Sequence, residues 1–181
     1  MIFKGNGLLG YFMPDEYIQD YGHLNIGRLK QRGIKLLICD IDNTLAAHDV
    51  SVPDEKAKRF VQEVKETGLD FCLISNNFSD RVNTFADVLD VKTYPLAKKP
   101  LIITYKKIMR ETGYQADEIA SIGDQIMTDV LGGNRAKIYT ILTAPLVTYD
   151  LTSTKINRKM ENIVFALLKQ KGLLEKGKFD E

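Results

Sequence analysis

The chain is poor in the features that would settle its class at once. It has two cysteines in 181 residues, Cys39 and Cys72, and each lies inside an apolar run. That excludes a disulfide framework and fits a reducing cytosol, with both thiols acting as small buried hydrophobes. Neither charge is in excess: 25 basic against 24 acidic residues leave a formal net charge of +1. No global field therefore directs it to nucleic acid, and no nucleic-acid partner is expected. No stretch approaches the ~20 apolar residues that cross a bilayer. The apolar start, Met1 to Pro14, is cut by Gly5, Gly7 and Gly10 and has no clear small-residue cleavage site, so a signal peptide is not expected. Internal repeats and low-complexity tracts are missing as well.

What is present is an ordinary globular composition, 44% hydrophobic and 27% charged, on a chain long enough for one domain with a real core. Apolar runs of strand length alternate with stretches of helical period. Strands are expected over residues 35–40, 70–74, 91–94, 119–122 and 137–142. The first helix opens at Val52-Pro53-Asp54-Glu55, buries Phe60, Val61 and Val64, and stops at Thr67-Gly68. The second is capped by Ser79 and faces Val82, Phe85, Ala86 and Leu89 inward. The third starts with Pro100 in its first turn, buries Leu101, Ile102, Tyr105, Ile108 and Met109, and stops at Gly113. A fourth runs from about Met127 to Arg135, with Gly132-Gly133 as its termination signal. The last, from about Thr154 to Gln170, carries Ile156, Met160, Ile163, Val164, Leu167 and Leu168 at helical spacing.

Strand–helix alternation implies a parallel sheet with helices on both faces, a three-layer Rossmann-like α/β fold. Residues 34–175 would form this core domain and residues 176–181 a frayed tail. Residues 1–33 read as a helical covering segment. Its Leu8, Leu9, Tyr11, Phe12 and Met13 are expected to cover the core, with membrane contact as the alternative.

The chemistry is concentrated in Asp40-Ile41-Asp42-Asn43-Thr44, which follows the buried run Ile34 to Cys39. Two carboxylates crowded at a strand end repel each other and lose hydration unless a cation or hydrogen bonds compensate. Oxygen ligands of this kind suit Mg²⁺. Ligands of parallel sheets bind at the carboxyl ends of the strands. The other strand ends carry Ser75-Asn76 and Gly123-Asp124, with Asp129 just beyond. Asp40 is the candidate nucleophile, since a carboxylate can form an aspartyl-phosphate. Asp42 is the candidate general acid–base. Ser75, Asn76 and Thr44 are candidate donors to phosphoryl oxygens, and Lys98 or Lys99 can neutralise both phosphate and attacking carboxylate. His48 could reach the pocket mouth, but a surface or capping role is expected, and His23 reads as structural. Lys106, Lys107 and Arg110 read as an exposed helix face that could also attract anionic headgroups.

In this order and placement, Asp40-Ile41-Asp42-Asn43-Thr44, Ser75-Asn76, Lys99-Pro100 and Gly123-Asp124 with Asp129 resemble the four motifs of the haloacid dehalogenase (HAD) superfamily of phosphatases. The resemblance covers roughly residues 35–142. It implies Asp40 as nucleophile, Asp42 as acid–base and Mg²⁺ on the Asp40 side chain, the Asp42 backbone carbonyl and Asp124, with Asp129 as a ligand or behind one. The Lys-Pro pair favours Lys99 over Lys98. An aspartate at both 40 and 42 favours phosphate ester hydrolysis over dehalogenation. The stretches between motifs hold no large cap domain. The whole pattern resembles the bacterial YqeG-type group of subclass IIIA, which is similar to mitochondrial phosphatidylglycerophosphate phosphatases. That implies a Mg²⁺-dependent phosphomonoesterase on a lipid phosphate, with the protein cytoplasmic and peripheral to a membrane. A phosphatase of a soluble nucleotide, sugar phosphate or phosphoprotein, and a non-catalytic phosphate-binding module, are the alternatives. The site is expected to be open unless residues 1–32 or another subunit covers it, and a homo-oligomer is a further expectation.

Overall fold

A computed structural model describes residues 7–77, 80–147 and 155–180. Six strands, β1 (Glu16–Ile18), β2 (Leu36–Asp40), β3 (Asp70–Ile74), β4 (Lys92–Tyr94), β5 (Ile119–Gly123) and β6 (Tyr139–Thr143), form one sheet in the order β1-β6-β5-β2-β3-β4. Every pairing is parallel. The helices are α1 (Ile26–Gln31), α2 (Glu55–Glu66), α3 (Asp80–Leu89), α4 (Ile103–Thr112), α5 (Leu131–Ala136) and α6 (Lys155–Gln170).

Alternate side chains of a strand point to opposite faces, and here each face meets its own helices. Leu37 and Cys39 of β2, with Phe71 and Leu73 of β3, pack against Leu29 of α1, Phe60 and Val64 of α2, and Phe85 and Leu89 of α3. Leu36, Ile38, Cys72 and Ile74 point the other way, onto Tyr105 and Ile108 of α4. Burial on both faces explains why these strands read as unbroken apolar runs. At the β1/β6 side, Tyr17 and Leu142 pack with Ile126, Val130 and the Val164, Phe165 and Leu168 face of α6.

The local signals explain most helix ends. The Asp54 carboxylate accepts from the Ala57 amide and starts α2, and Gly113, at φ 77°, ends α4. Ser79 and Thr154, the expected starts of two helices, lie outside the described residues, as does the side chain of Ile156.

The chain ends depart from expectation. Residues 16–18 are not helical but form the edge strand β1, with Tyr17 opposite Leu142. The tail at 176–180 is not frayed: Asp180 exchanges hydrogen bonds with the Tyr17 backbone, and the Phe179 ring meets Tyr17 edge-on at 4.9 Å. Leu9, Phe12 and Met13 pack against the third cluster, while Leu8 and Tyr11 stay exposed.

Three helical details also differ. Helix α4 begins at Ile103, not Pro100, because the backbone of Lys99, just before the proline, is held by Asn76 in a turn. Gly132 and Gly133 do not terminate a helix. They lie inside α5, where a Cβ on Gly133 would sit 2.5 Å from Thr140 Cγ2 and 2.9 Å from Ser121 Oγ, so the glycine lets the helix touch the sheet. A π-helical turn, Ile126–Val130, precedes α5. In α6, Val164 and Leu168 are buried as expected, but Met160, Ile163 and Leu167 form an exposed stripe.

Candidate active site

The register sets the ends of the central strands side by side. Asp40 is paired with Ile74, and Cys39 with both Leu73 and Ile122, so Asp40, Ser75 and Gly123-Asp124 emerge at one edge. After Asp40 the chain turns sharply. The amides of Leu45 and Ala46 both donate to the Ile41 carbonyl, and Asn43 takes φ 61°, a left-handed conformation that asparagine tolerates. The same edge receives the segment before α4 and the π-helical turn before α5.

Asp40, Asp124 and Asp129 are all buried and offer oxygens within 4.8 Å of one another. Lys99 lies among them, also buried, its Nζ donating to Asp40 Oδ1 and Asp129 Oδ1 at 2.6 Å each. Lys98 is exposed, so of the two lysines Lys99 is the one brought into the acidic cluster. Burial pushes the Asp40 carboxyl up to about 7; Lys99 opposes that rise and Asp129 adds to it. Burial alone would lower the Lys99 ammonium, but Asp129 and Asp40 carry it well above its usual range. Three carboxylates against one ammonium leave the cluster short of positive charge. All its donors are hard oxygens, so the residues fit a divalent cation.

Asp129 is fixed from behind: its Oδ2 accepts from the Gln125 amide and the Thr128 hydroxyl. Gly123 makes room for it, since a Cβ there would fall 2.3 Å from Asp129 Cγ. Glu161 of α6, also buried, accepts from the Ile126 amide at 2.5 Å and so holds the chain just beyond Asp124.

The other predicted residues divide. Ser75 is buried, and its Oγ accepts from the Asn77 amide; a hydroxyl can donate as well as accept. Thr44 is buried too, with a hydroxyl that has no partner among the described residues. Asn76, expected to donate to substrate, instead clasps the backbone of Lys99: Oδ1 accepts from its N–H at 2.7 Å and Nδ2 donates to its carbonyl at 3.0 Å. A side-chain amide matches the two-sided hydrogen bonding of a peptide, and that match carries Lys99 into the site. The Asp42 carboxylate stands outside the acidic cluster. Its Oδ1 accepts from Arg81 Nη1 at 2.7 Å and its Oδ2 from Asn77 Nδ2 at 2.8 Å. His23 is exposed and lies beside Asp20, with 3.2 Å between Nδ1 and Oδ1.

Sequence reasoning missed Asn77, Arg81 and Glu161. For Arg81 a signal existed: it is the second residue of α3, where the positive end of the helix dipole disfavours a cation. An arginine there has a partner outside its helix. Asn77 and Glu161 carry no comparable mark.

With this geometry in hand, comparison with known proteins gives a family. The model of haloacid dehalogenase-like hydrolases matches residues 23–137, well over half of the chain. The chain belongs to this family of hydrolases. It is 34% identical over 165 residues to the probable phosphatase YqeG of Bacillus subtilis, covering 91% of this chain and 96% of that one. It is 27% identical over 170 residues to the chloroplastic/mitochondrial phosphatidylglycerophosphate phosphatase 1 of Arabidopsis thaliana. There the match takes in 88% of this chain but 48% of the relative, about half its length. Among solved structures, NagD of E. coli superposes with a TM-score of 0.52 at 15% identity, over 67% of this chain and 92% of that one. The 3-deoxy-D-manno-octulosonate 8-phosphate phosphatase of Yersinia pestis gives 0.51 at 15% identity, over 83% and 88%. At such identities the likeness is one of fold.

Proposed function

We propose that this chain hydrolyses phosphate monoesters through an aspartyl-phosphate on Asp40, using Mg²⁺ held by the Asp40 and Asp124 side chains and the Asp42 backbone carbonyl. The observation that carries the reading is the buried Asp40–Lys99–Asp129 chain beside Asp124 at the strand ends. In the first step a carboxylate oxygen of Asp40 attacks phosphorus. The bond from phosphorus to the leaving oxygen breaks, and Asp42 gives that oxygen its proton. In the second, Asp42 takes a proton from water, the water oxygen attacks phosphorus, and inorganic phosphate leaves a free Asp40.

Lys99 offsets the charge of the phosphoryl group as Asp40 approaches it. The hydroxyls of Ser75 and Thr44 are the neutral donors for its oxygens. A bound divalent cation supplies further charge neutralisation, which carries much of phosphoryl-transfer catalysis.

The substrate we favour is a lipid phosphate of the phosphatidylglycerophosphate kind, met at a membrane surface. The Arabidopsis relative bears that name. The loops at the catalytic edge also support it. Val52, Leu96, Leu101, Ile103 and Leu146 are all exposed there, after β2, β4 and β6, with the exposed Lys98 among them. An apolar rim with a cation suits a surface of acyl chains and anionic headgroups. No helix among the described residues is long and apolar enough to cross a membrane, so contact would be at the surface.

The test is phosphate release from phosphatidylglycerophosphate in mixed micelles, against a panel of nucleotides and sugar phosphates. Activity with Mg²⁺ that disappears with EDTA and in Asp40→Asn supports the chemistry. No turnover on any substrate would favour a binding module, and preference for soluble esters would remove the lipid reading.

A further inference from the structure

The catalytic reading leaves Arg81 unexplained, although its side chain reaches Asp42 and the backbone of the loop that follows it. Its guanidinium is mostly buried, and each of its three nitrogens has a partner. Nη1 donates to Asp42 Oδ1 at 2.7 Å, Nη2 to the Ala47 carbonyl at 2.9 Å, and Nε to the Val50 carbonyl. The Phe85 ring, one helical turn along α3, lies with its centroid 4.8 Å from the guanidinium carbon. One rigid fork thus fixes both the Asp42 carboxylate and the loop at 47–50 that follows it. Asn77 holds the other Asp42 oxygen at 2.8 Å.

A free aspartate on a turn samples several rotamers. A group that must reach the leaving oxygen loses rate when displaced by as little as ~1 Å, by about 100-fold. Each carboxylate oxygen has two lone pairs, so Asp42 can be gripped on both oxygens and still offer one to a reacting proton. The planar arginine fork provides such a grip where a lysine would not. The helix dipole works against a cation in the first turn of α3, so the residue's place there is explained by what it reaches.

We propose that Arg81 is the positioning residue for proton transfer: together with Asn77 it aims Asp42 and docks the 47–50 loop, making the reach of the acid–base group a property of helix α3. The inference rests on Asp42 being that group.

The experiment compares wild type, Arg81→Ala, Arg81→Lys, Asn77→Ala, Asp42→Asn and the Arg81→Ala/Asp42→Asn double variant on a series of aryl phosphates from 4-nitrophenyl to phenyl phosphate, with Mg²⁺. Thermal melting of each variant checks folding. Loss of a proton donor harms poor leaving groups most. Asp42→Asn and Arg81→Ala should therefore both steepen the dependence of kcat/KM on leaving-group acidity, with Arg81→Ala losing about 10–100-fold on phenyl phosphate and less on 4-nitrophenyl phosphate. Arg81→Lys keeps the charge without the fork and should remain steep. In the Asp42→Asn background, Arg81→Ala should cost less than about 3-fold more.

A uniform loss on all leaving groups, or the same loss with and without Asp42, would make Arg81 merely structural and overturn the proposal. If Arg81→Ala does not fold, Arg81→Lys and Asn77→Ala carry the same comparison. A flat series in Asp42→Asn would instead remove Asp42 as acid–base, and this proposal with it. Asp42→Asn steep with Arg81→Ala flat would refute the Arg81 role alone.

Discussion

Replacing Lys99 with methionine separates what the ammonium does for the fold from what it does for the site. The side chain is 3% exposed and lies 2.6 Å from a carboxylate oxygen on each of two strand-end segments. At an effective dielectric near 20, each such contact attracts by ~6 kcal/mol. Burying three charges offsets most of that gain, so the pair contacts contribute far less net. Removing one partner is different, because it leaves Asp40 and Asp129 buried beside Asp124 with no compensating charge. Breaking a buried pair in this way costs about 3–5 kcal/mol. For a chain of this size that corresponds to a Tm lower by about 6–20 °C. The loss should be seen by thermal unfolding at pH 8 in EDTA. It should shrink at pH 4, well below the raised value of about 7 at which Asp40 gives up its proton. It should also shrink on adding Mg²⁺, and Mg²⁺ should raise the Tm of Lys99→Met more than that of wild type, because the acidic cluster then lacks its internal cation. Phosphatase turnover should stay lost at every Mg²⁺ concentration. A Lys99→Met protein as stable as wild type in EDTA, with no larger response to Mg²⁺, would refute the charge argument.

Other perturbations test neighbouring parts of the structure. Gly133→Ala puts a methyl against Thr140 and Ser121 and should lower stability by about 1–3 kcal/mol in denaturant unfolding, with little change in KM. Asn76→Ala removes both bonds to the Lys99 backbone and should reduce kcat more than it reduces stability, since the lysine would lose its aim. In metal-free protein, Asp40 is protonated to about pH 7 when folded and to about pH 4 when unfolded. The folded state thus binds the extra proton, so this stabilisation is full below about pH 4 and declines as pH rises through about 7. Melting in EDTA across that range should show the decline, and Asp40→Asn should flatten it.

The central fold was legible because its strands are buried on both faces. Leu36 to Asp40 and Asp70 to Ile74 are apolar runs bounded by polar turns, and no tertiary knowledge is needed to place them. Strand β1 was not legible. Glu16-Tyr17-Ile18 is too short to show a period, and it is a strand because β6 on one side and the tail at Asp180 on the other supply its hydrogen bonds. The start of α4 was misplaced for a related reason: the turn before it is fixed by Asn76, a residue from another strand end. In the site, Asp40 and Asp42 stood out as a close pair of acids. Their different surroundings did not, since Lys99 and Asp129 come from far along the chain, and Arg81 reaches Asp42 from a helix whose pattern predicts only a buried face.

The order of the sheet also governs how the protein comes into being. Strand β2 lies between β3, which follows it in the chain, and β5, which is made much later. A growing chain that has reached Lys99 already holds Asp40 and its lysine, but neither Asp124 nor Asp129. Emergence of β5 and the turn beyond it completes the sheet on both sides of β2 and delivers the remaining acids together. Long-range parallel pairing of this kind is slow to form, so Asp40 is made early and meets Asp124 and Asp129 only after β5 and the turn beyond it have been made and have docked.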